Sequence, residues 1–269
     1  MSLISCFAGI AVALPYSFDS EISKVVITLI GISFSTAGAA AINMFYDSDI
    51  DALMPRTKNR AIPIGAVNRD FALLSGILLS SISVGLMYFM VNILSSALLL
   101  CAVLYYVVFY TMYLKRKTFH STEIGGICGC IPPLVGYSAM SYDLSMQAWM
   151  IFFLIFFWSP PHFWVLSITN AVYYEKVNIP MLYSVMGEKI TKLYILSYTF
   201  CMIYVSILMF IKIESLSLLY LIISSISNII FLYFFIGIFI NNKHSRKAFF
   251  WSIAYMFIIL TTVIIDSII

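Results

Sequence analysis

The chain has 269 residues, of which 62% are hydrophobic and only 10% charged, and its formal net charge is +3. A soluble domain carries about 25% charged residues, so a largely water-exposed molecule is excluded, and so small a net charge gives no footing for nucleic acid. Apolar runs recur from end to end, each near the roughly 20 residues a helix needs to cross a bilayer. The expectation is an all-α polytopic membrane protein, with residues 1–269 forming one helical domain.

Runs broken by charge give nine expected spans: 2–15, 22–45, 70–90, 93–114, 123–141, 147–167, 190–212, 216–241 and 248–268. No basic residue precedes the first and no small-residue cleavage site follows it, so it does not read as a signal peptide. The connections after spans 2, 4, 6 and 8, from Arg56 to Lys243, Arg246 and Lys247, hold 13 of the 15 Lys and Arg residues, whereas the opposite side holds only Lys24 and Lys212. Basic loops are normally cytoplasmic. This places the N-terminus in the cytoplasm and the C-terminus on the opposite side of a bacterial inner membrane.

The connection after span 2 is unusual. In "NMFYDSDIDALMPRTKNRAIPIG" (43–65), Asn43, Asp47 and Asp51 are spaced i, i+4, i+8, so on a helix they share one face. Clustered carboxylates near hydrocarbon are costly unless paired or metal-bound. Oxygen ligands of this kind suit Mg²⁺, with Mn²⁺ as the alternative ion. Arg56, Lys58 and Arg60 follow directly, and Arg is suited to bidentate phosphate contacts. Acids beside bases point to a magnesium diphosphate; a solvated loop of paired charges is the bland alternative. Asp49 points away from Asp47 and reads as an ion-pair partner.

The five cysteines all lie in apolar runs, and Cys128-Gly-Cys130 lacks the second pair of a zinc site, so buried thiols are expected. His162 is the only histidine expected inside a span, after Pro160-Pro161, which open the helical ladder to polar partners. It is a candidate for a substrate-related role or for a hydrogen bond to a neighbouring helix. His120 and His244 fall in loops.

The pattern N-x-x-x-D-x-D-I-D-x-x-M-x-R-T-x-x-R from Asn43 to Arg60 resembles the first aspartate-rich motif of the UbiA-type intramembrane prenyltransferases, and within them the haem-directed farnesyltransferase branch. Four further segments resemble that branch in order: "YTMYLKRKT" (110–118), "GGICGCIPPLVGYSA" (125–139), "FFWSPPHFWVLSI" (156–168) and "YYEKVNIPMLYSVMGE" (173–188). The resemblance implies a nine-helix bundle that transfers a farnesyl group from farnesyl diphosphate to a vinyl group of haem b, giving haem O for a later haem-modifying enzyme or a terminal oxidase. It also implies Mg²⁺ on Asn43, Asp47 and Asp51. Diphosphate would then lie on Arg56, Arg60, Lys115 and Arg116, with Lys58 as a further candidate, Tyr110 would be among the aromatics lining a prenyl tunnel, and His162 would be a candidate for ligating haem iron or for a hydrogen bond to a haem propionate.

Two features depart from that pattern. Tyr173 stands where the second loop should carry an acid, which leaves Glu175 as the candidate substitute. The polar segment expected before the first span is absent, from which a start upstream of Met1 is expected. The alternatives are the same chemistry on an aromatic or quinone-precursor acceptor, a divalent-cation transporter, and a haem- or lipid-binding protein without catalysis.

Overall fold

A computed structural model describes residues 1–14, 21–242 and 244–269. Pro15, the expected end of the first span, and Lys243 lie outside the described residues. The chain runs α1 (Ser2–Ala13), α2 (Ile22–Tyr46), α3 (Ser48–Leu53), α4 (Arg69–Met90) and α5 (Ile93–Leu104), which continues as a π-helix over Tyr105–Leu114. Then come α6 (Ser121–Cys130), α7 (Pro132–Ser141), α8 (Met146–Thr169), α9 (Ala171–Lys176), α10 (Leu182–Lys212), α11 (Leu218–Ile240) and α12 (His244–Ile268).

Among the described residues, eight helical units are long and apolar enough to cross a membrane, and Ser2–Ala13 is a shorter apolar helix. Burial is inverted relative to a water-soluble bundle. Large apolar side chains such as Leu74, Phe89, Ile229 and Tyr233 lie on the outer surface, while Ser83, Ser206, Thr199 and Asn228 are buried between helices. In lipid the apolar exterior costs nothing, and small or hydrogen-bonding residues hold helices together, at about 0.6 kcal/mol for a typical interhelical bond. Ser83 donates to the Gly31 carbonyl (2.6 Å), and Asn228 joins Ser206 (2.7 Å) and the Tyr255 hydroxyl (2.8 Å).

Close helix approach depends on glycine. A Cβ on Gly76 would come within 2.8 Å of the Gly38 carbonyl, so α2 and α4 touch backbone to backbone. Short α1 is nevertheless deep in the bundle, because a Cβ on Gly9 would overlap the Pro133 carbonyl and one on Gly136 that of Cys6.

Three expected spans differ in detail. The lower half of the fourth is a π-helix. The fifth is two helices meeting at Ile131, where Pro132 and Pro133 occupy the first turn of α7, the position at which a missing N–H is harmless. The seventh begins earlier, at Leu182, but Gly187 (φ 77°, ψ 175°) breaks it after one short turn. Only a residue without a Cβ adopts that conformation readily. The turn before Gly187, together with α3 and α9, forms a cap over one end of the bundle.

Candidate active site

Beneath this cap lies a cavity of about 350 Å³, and the end of α2 builds its charged wall. Asp47 is at once the last residue of α2 and the residue before α3, with its N–H on the Asn43 carbonyl (2.9 Å) and its carbonyl accepting from Asp51 N–H (2.8 Å). Helical hydrogen bonding thus carries through the junction, and Asn43 and Asp51 both line the cavity. Asp47 sits just behind them and is fully buried. Its Oδ2 accepts from Asn43 Nδ2 (2.8 Å) and is ion-paired with Lys115 Nζ. Among the described residues its Oδ1 has no hydrogen-bond partner, although Arg116 Nη2 is 3.7 Å away.

Downstream, the Thr57 hydroxyl donates to the Asp51 carbonyl (3.1 Å), which folds the loop back so that Arg60 Nη1 meets Asp51 Oδ2 at 2.7 Å. Asp51 is 3% exposed, whereas the Arg60 side chain keeps about a third of its surface in solvent. Arg56 lines the same cavity and makes no ion pair among the described residues.

The π-helix supplies the next wall. Its wider turn puts Lys115 N–H on the Tyr110 carbonyl (2.9 Å), five residues back, and so brings Tyr106, Tyr110 and Lys115 onto the cavity face together. Such π segments occur frequently at functional sites. The two tyrosine rings stack at 5.6 Å. Thr111 accepts from Asn43 Nδ2 (3.1 Å), locking this helix to α2. The third wall is the start of α6, with Ser121, Thr122 and the glycines, faced by Ser159 and Phe163 of α8.

The roof is apolar. Ile50 and Met54 of the first loop pack on Tyr174, Ile179 and Met181 of the second in a small separate core. Tyr174 is therefore the second-loop residue that reaches the cavity; Tyr173 is partly exposed against Lys176, and Glu175 is exposed. Lys58 is also exposed and lies off the cavity wall.

Arg116 turns to Asp49, with two hydrogen bonds of 2.7 and 2.8 Å. Those bonds hold the Asp49 carboxyl below its ordinary pKa and raise that of the guanidinium. His162 faces away from the cavity, towards α12. It is stacked between Trp158 and Phe249, with Nδ1 2.6 Å from the Ser252 hydroxyl. The structure thus joins Asn43, Asp51, Arg56, Arg60 and Lys115 around one space, with Asp47 behind it, and leaves Lys58, Arg116, His162, Tyr173 and Glu175 outside. Sequence reasoning passed over Tyr106, Thr111, Tyr174 and Ser121; the spacing of Tyr106, Tyr110 and Lys115 makes sense only on a π-helix.

The cavity bears one carboxylate, Asp51, against three cations, Arg56, Arg60 and Lys115. An anion suits that balance. Asp47, with its Oδ1 lacking a hydrogen-bond partner among the described residues, and the neighbouring Asp51 and Asn43 offer hard oxygen donors, the chemistry that suits Mg²⁺.

Comparison with known proteins agrees with this geometry. The model of the UbiA prenyltransferase family matches residues 2–260. A protoheme IX farnesyltransferase of Neorickettsia sennetsu is 37% identical over 269 residues, covering 99% of this chain and 89% of the relative. One from Ehrlichia chaffeensis is 42% identical over 244 residues, covering 90% and 82%. Among solved structures, a digeranylgeranylglyceryl phosphate synthase superposes with a TM-score of 0.82 at 20% identity, covering 99% of this chain and 93% of the other. A UbiA homologue from Archaeoglobus fulgidus bound to GPP and Mg²⁺ superposes at 0.67 and 13% identity, covering 97% and 95%. The chain belongs to the UbiA prenyltransferase family, and protoheme IX farnesyltransferases are among its relatives.

Proposed function

We propose that this integral membrane protein transfers the farnesyl group of farnesyl diphosphate to the terminal carbon of a vinyl group of haem b, and that one water molecule then captures the cation left on the inner vinyl carbon and loses a proton, giving haem O and diphosphate. The observation that carries the reading is the charge balance of the cavity: three cations and one carboxylate in a space roofed by apolar side chains. A divalent-cation carrier would need the opposite balance along a path through the midplane. Here the acids sit at one end of the bundle and the bases outnumber them.

In this reading Arg56, Arg60 and Lys115 bind the diphosphate and stabilise the charge that grows on it as the C–O bond lengthens. Preorganised charge aimed at a leaving group in a water-poor site is commonly the main source of rate enhancement in such catalysis. Asn43, Asp47 and Asp51 would hold Mg²⁺, with Mn²⁺ as an alternative; the ion would add Lewis-acid stabilisation of the same leaving group. The stacked Tyr106 and Tyr110 rings present π faces to the cavity, where an allylic cation would form. The apolar roof excludes the water that would otherwise capture that cation. Haem b would meet the donor in the same cavity, whose lining also includes the apolar Phe163 and Met181. The lysine and arginine asymmetry supports a cytoplasmic site in a bacterial inner membrane, from which haem O would pass to a later haem-modifying enzyme or a terminal oxidase.

The test is an assay of the full chain in membranes with haem b, farnesyl diphosphate and Mg²⁺, read by chromatography and mass, with Asp47→Ala as control. Haem O that disappears in the variant and with chelator is the expected result. Folded protein that forms no haem O would overturn the proposal.

A further inference from the structure

A second, apolar cavity of about 240 Å³ lies deeper in the bundle, between α2, α5 and the α6–α7 unit. It shares three wall residues with the charged cavity: Tyr106, Cys128 and Gly129. Cys128 is turned aside, its thiol donating to the Gly125 carbonyl of its own helix (2.8 Å). The Tyr106 ring is held by its stack on Tyr110 (5.6 Å). On the boundary that the two cavities share, Gly129 is therefore the position where an added side chain would take up space.

Two glycines one turn apart on α6 have opposite surroundings. A Cβ on Gly125 would overlap the Tyr110 ring, so that glycine is required by packing. A Cβ on Gly129 would meet nothing within 4 Å, and the residue is exposed. Glycine weakens a helix interior, and at Gly129 no helix packs into the space it vacates. The space opens onto both cavities instead.

The apolar cavity reaches the surface beside the exposed Thr36 and Ala40, while Ile32, Leu99 and Val135, which also line it, are buried in the main core. From Asn43 to Ile32, α2 advances about 16 Å at the helical rise. An extended farnesyl chain of roughly twelve backbone carbons spans about 14 Å at the ~1.2 Å per bond of an extended peptide.

We propose that Gly129 is the chain-length gate of the donor site: its absent side chain lets the isoprenoid tail pass beside Tyr106 into the apolar cavity, and Leu99, Ile32 and Val135 stop it there. The inference rests on the prenyl-diphosphate reading above and adds to it which residues select the donor. A larger side chain at Gly129 shortens the usable tail, and a smaller one at Leu99 lengthens it.

The experiment uses the full chain in membranes with haem b and Mg²⁺, and compares geranyl, farnesyl and geranylgeranyl diphosphate as donors. In Gly129→Leu the farnesyl-to-geranyl ratio of kcat/KM is expected to fall by about tenfold or more, the discrimination that steric exclusion from an apolar pocket supplies. Gly129→Ala should fall between, and Leu99→Ala should raise the geranylgeranyl-to-farnesyl ratio. An unchanged ratio in Gly129→Leu overturns the gate, whether or not total activity falls.

A second arm measures binding of the non-transferable farnesyl and geranyl thiodiphosphates to wild type and Gly129→Leu by calorimetry. If wild type forms no haem product but Gly129→Leu still loses the farnesyl analogue selectively, the gate stands and the acceptor reading falls. If haem O forms while the affinity ratio is unmoved, the gate alone falls. Wild type that binds neither analogue overturns both.

Discussion

The two loops that cap the cavity are built alike and equipped differently. Each carries a short helix, α3 in one and α9 in the other, and each sends side chains over the same space. The first delivers Asp51, Arg56 and Arg60 from its charged face and Ile50 and Met54 from the other. The second delivers only Tyr174, Ile179 and Met181. Charge is thus handled from one side, with Lys115 completing it from the π-helix, while the second loop supplies the dry cover. A polar wall opposite an apolar one suits a substrate with an anionic head that must react with a greasy partner while water is kept out.

Breaking the charged wall should have the largest effect. Asp47→Ala and Asp51→Asn are each expected to lower kcat by about 10²–10³, the loss typical of removing one stabilising group at a developing charge; prenyl transfer to haem b is the readout. Arg60→Met should cost less and should act chiefly on KM for the donor. Because Arg60 and Asp51 are paired at 2.7 Å, the double variant should lose less than the sum of the singles, a coupling of about 0.5–3 kcal/mol. Additive losses would place the two residues in separate roles.

The roof is tested by Ile179→Ala, which removes a buried side chain from the small core joining both loops. The expected outcome is partial leakage: more hydrolysis of farnesyl diphosphate to farnesol per haem O formed, with the bundle still folded. His162→Phe sharpens the comparison from outside the site. It keeps the aromatic stack but loses the bond to Ser252, so thermal stability should fall by about 1 kcal/mol with KM for haem unchanged. A raised KM for haem would instead bring His162 into the acceptor site.

The smallest effect is expected at Asp49. Arg116 holds its pKa below the ordinary carboxylate value, so this pair stabilises the fold above that ordinary value, and the contribution is lost as pH falls through the lowered one. Both partners are largely exposed, so the contribution is under about 1 kcal/mol. Asp49→Asn should leave activity at neutral pH within about twofold and flatten the stability profile only in acid.

The acid spacing is legible because it is local: four residues per step keeps Asn43, Asp47 and Asp51 on one side of any helix, and the helical bonding through Asp47 preserves that relation. The two arginines are legible from their place in the same loop. The second loop misleads for a matching reason. Position relative to Ile179 and Pro180 singles out Tyr173 and Glu175, but a short helix shows one face to the cavity, and that face carries Tyr174. Arg116 and Lys115 are adjacent in sequence yet part company, because the π-helix directs Lys115 inward to Asp47 and leaves Arg116 to Asp49 at the surface.

From the sequence alone follow the membrane solvent, the helical spans, the charge asymmetry and the set of acids and bases on the first loop. Hydrophobic run length, loop charge and helical period are properties of neighbouring residues. Which side chains face one another is decided only when helices pack. The tertiary structure pairs Lys115 with Asp47 across 68 positions, turns His162 to α12 and not to the cavity, and leaves Gly129 facing open space while Gly125 is filled by Tyr110. No period along one helix carries that information, because each of these facts depends on what a second helix places opposite.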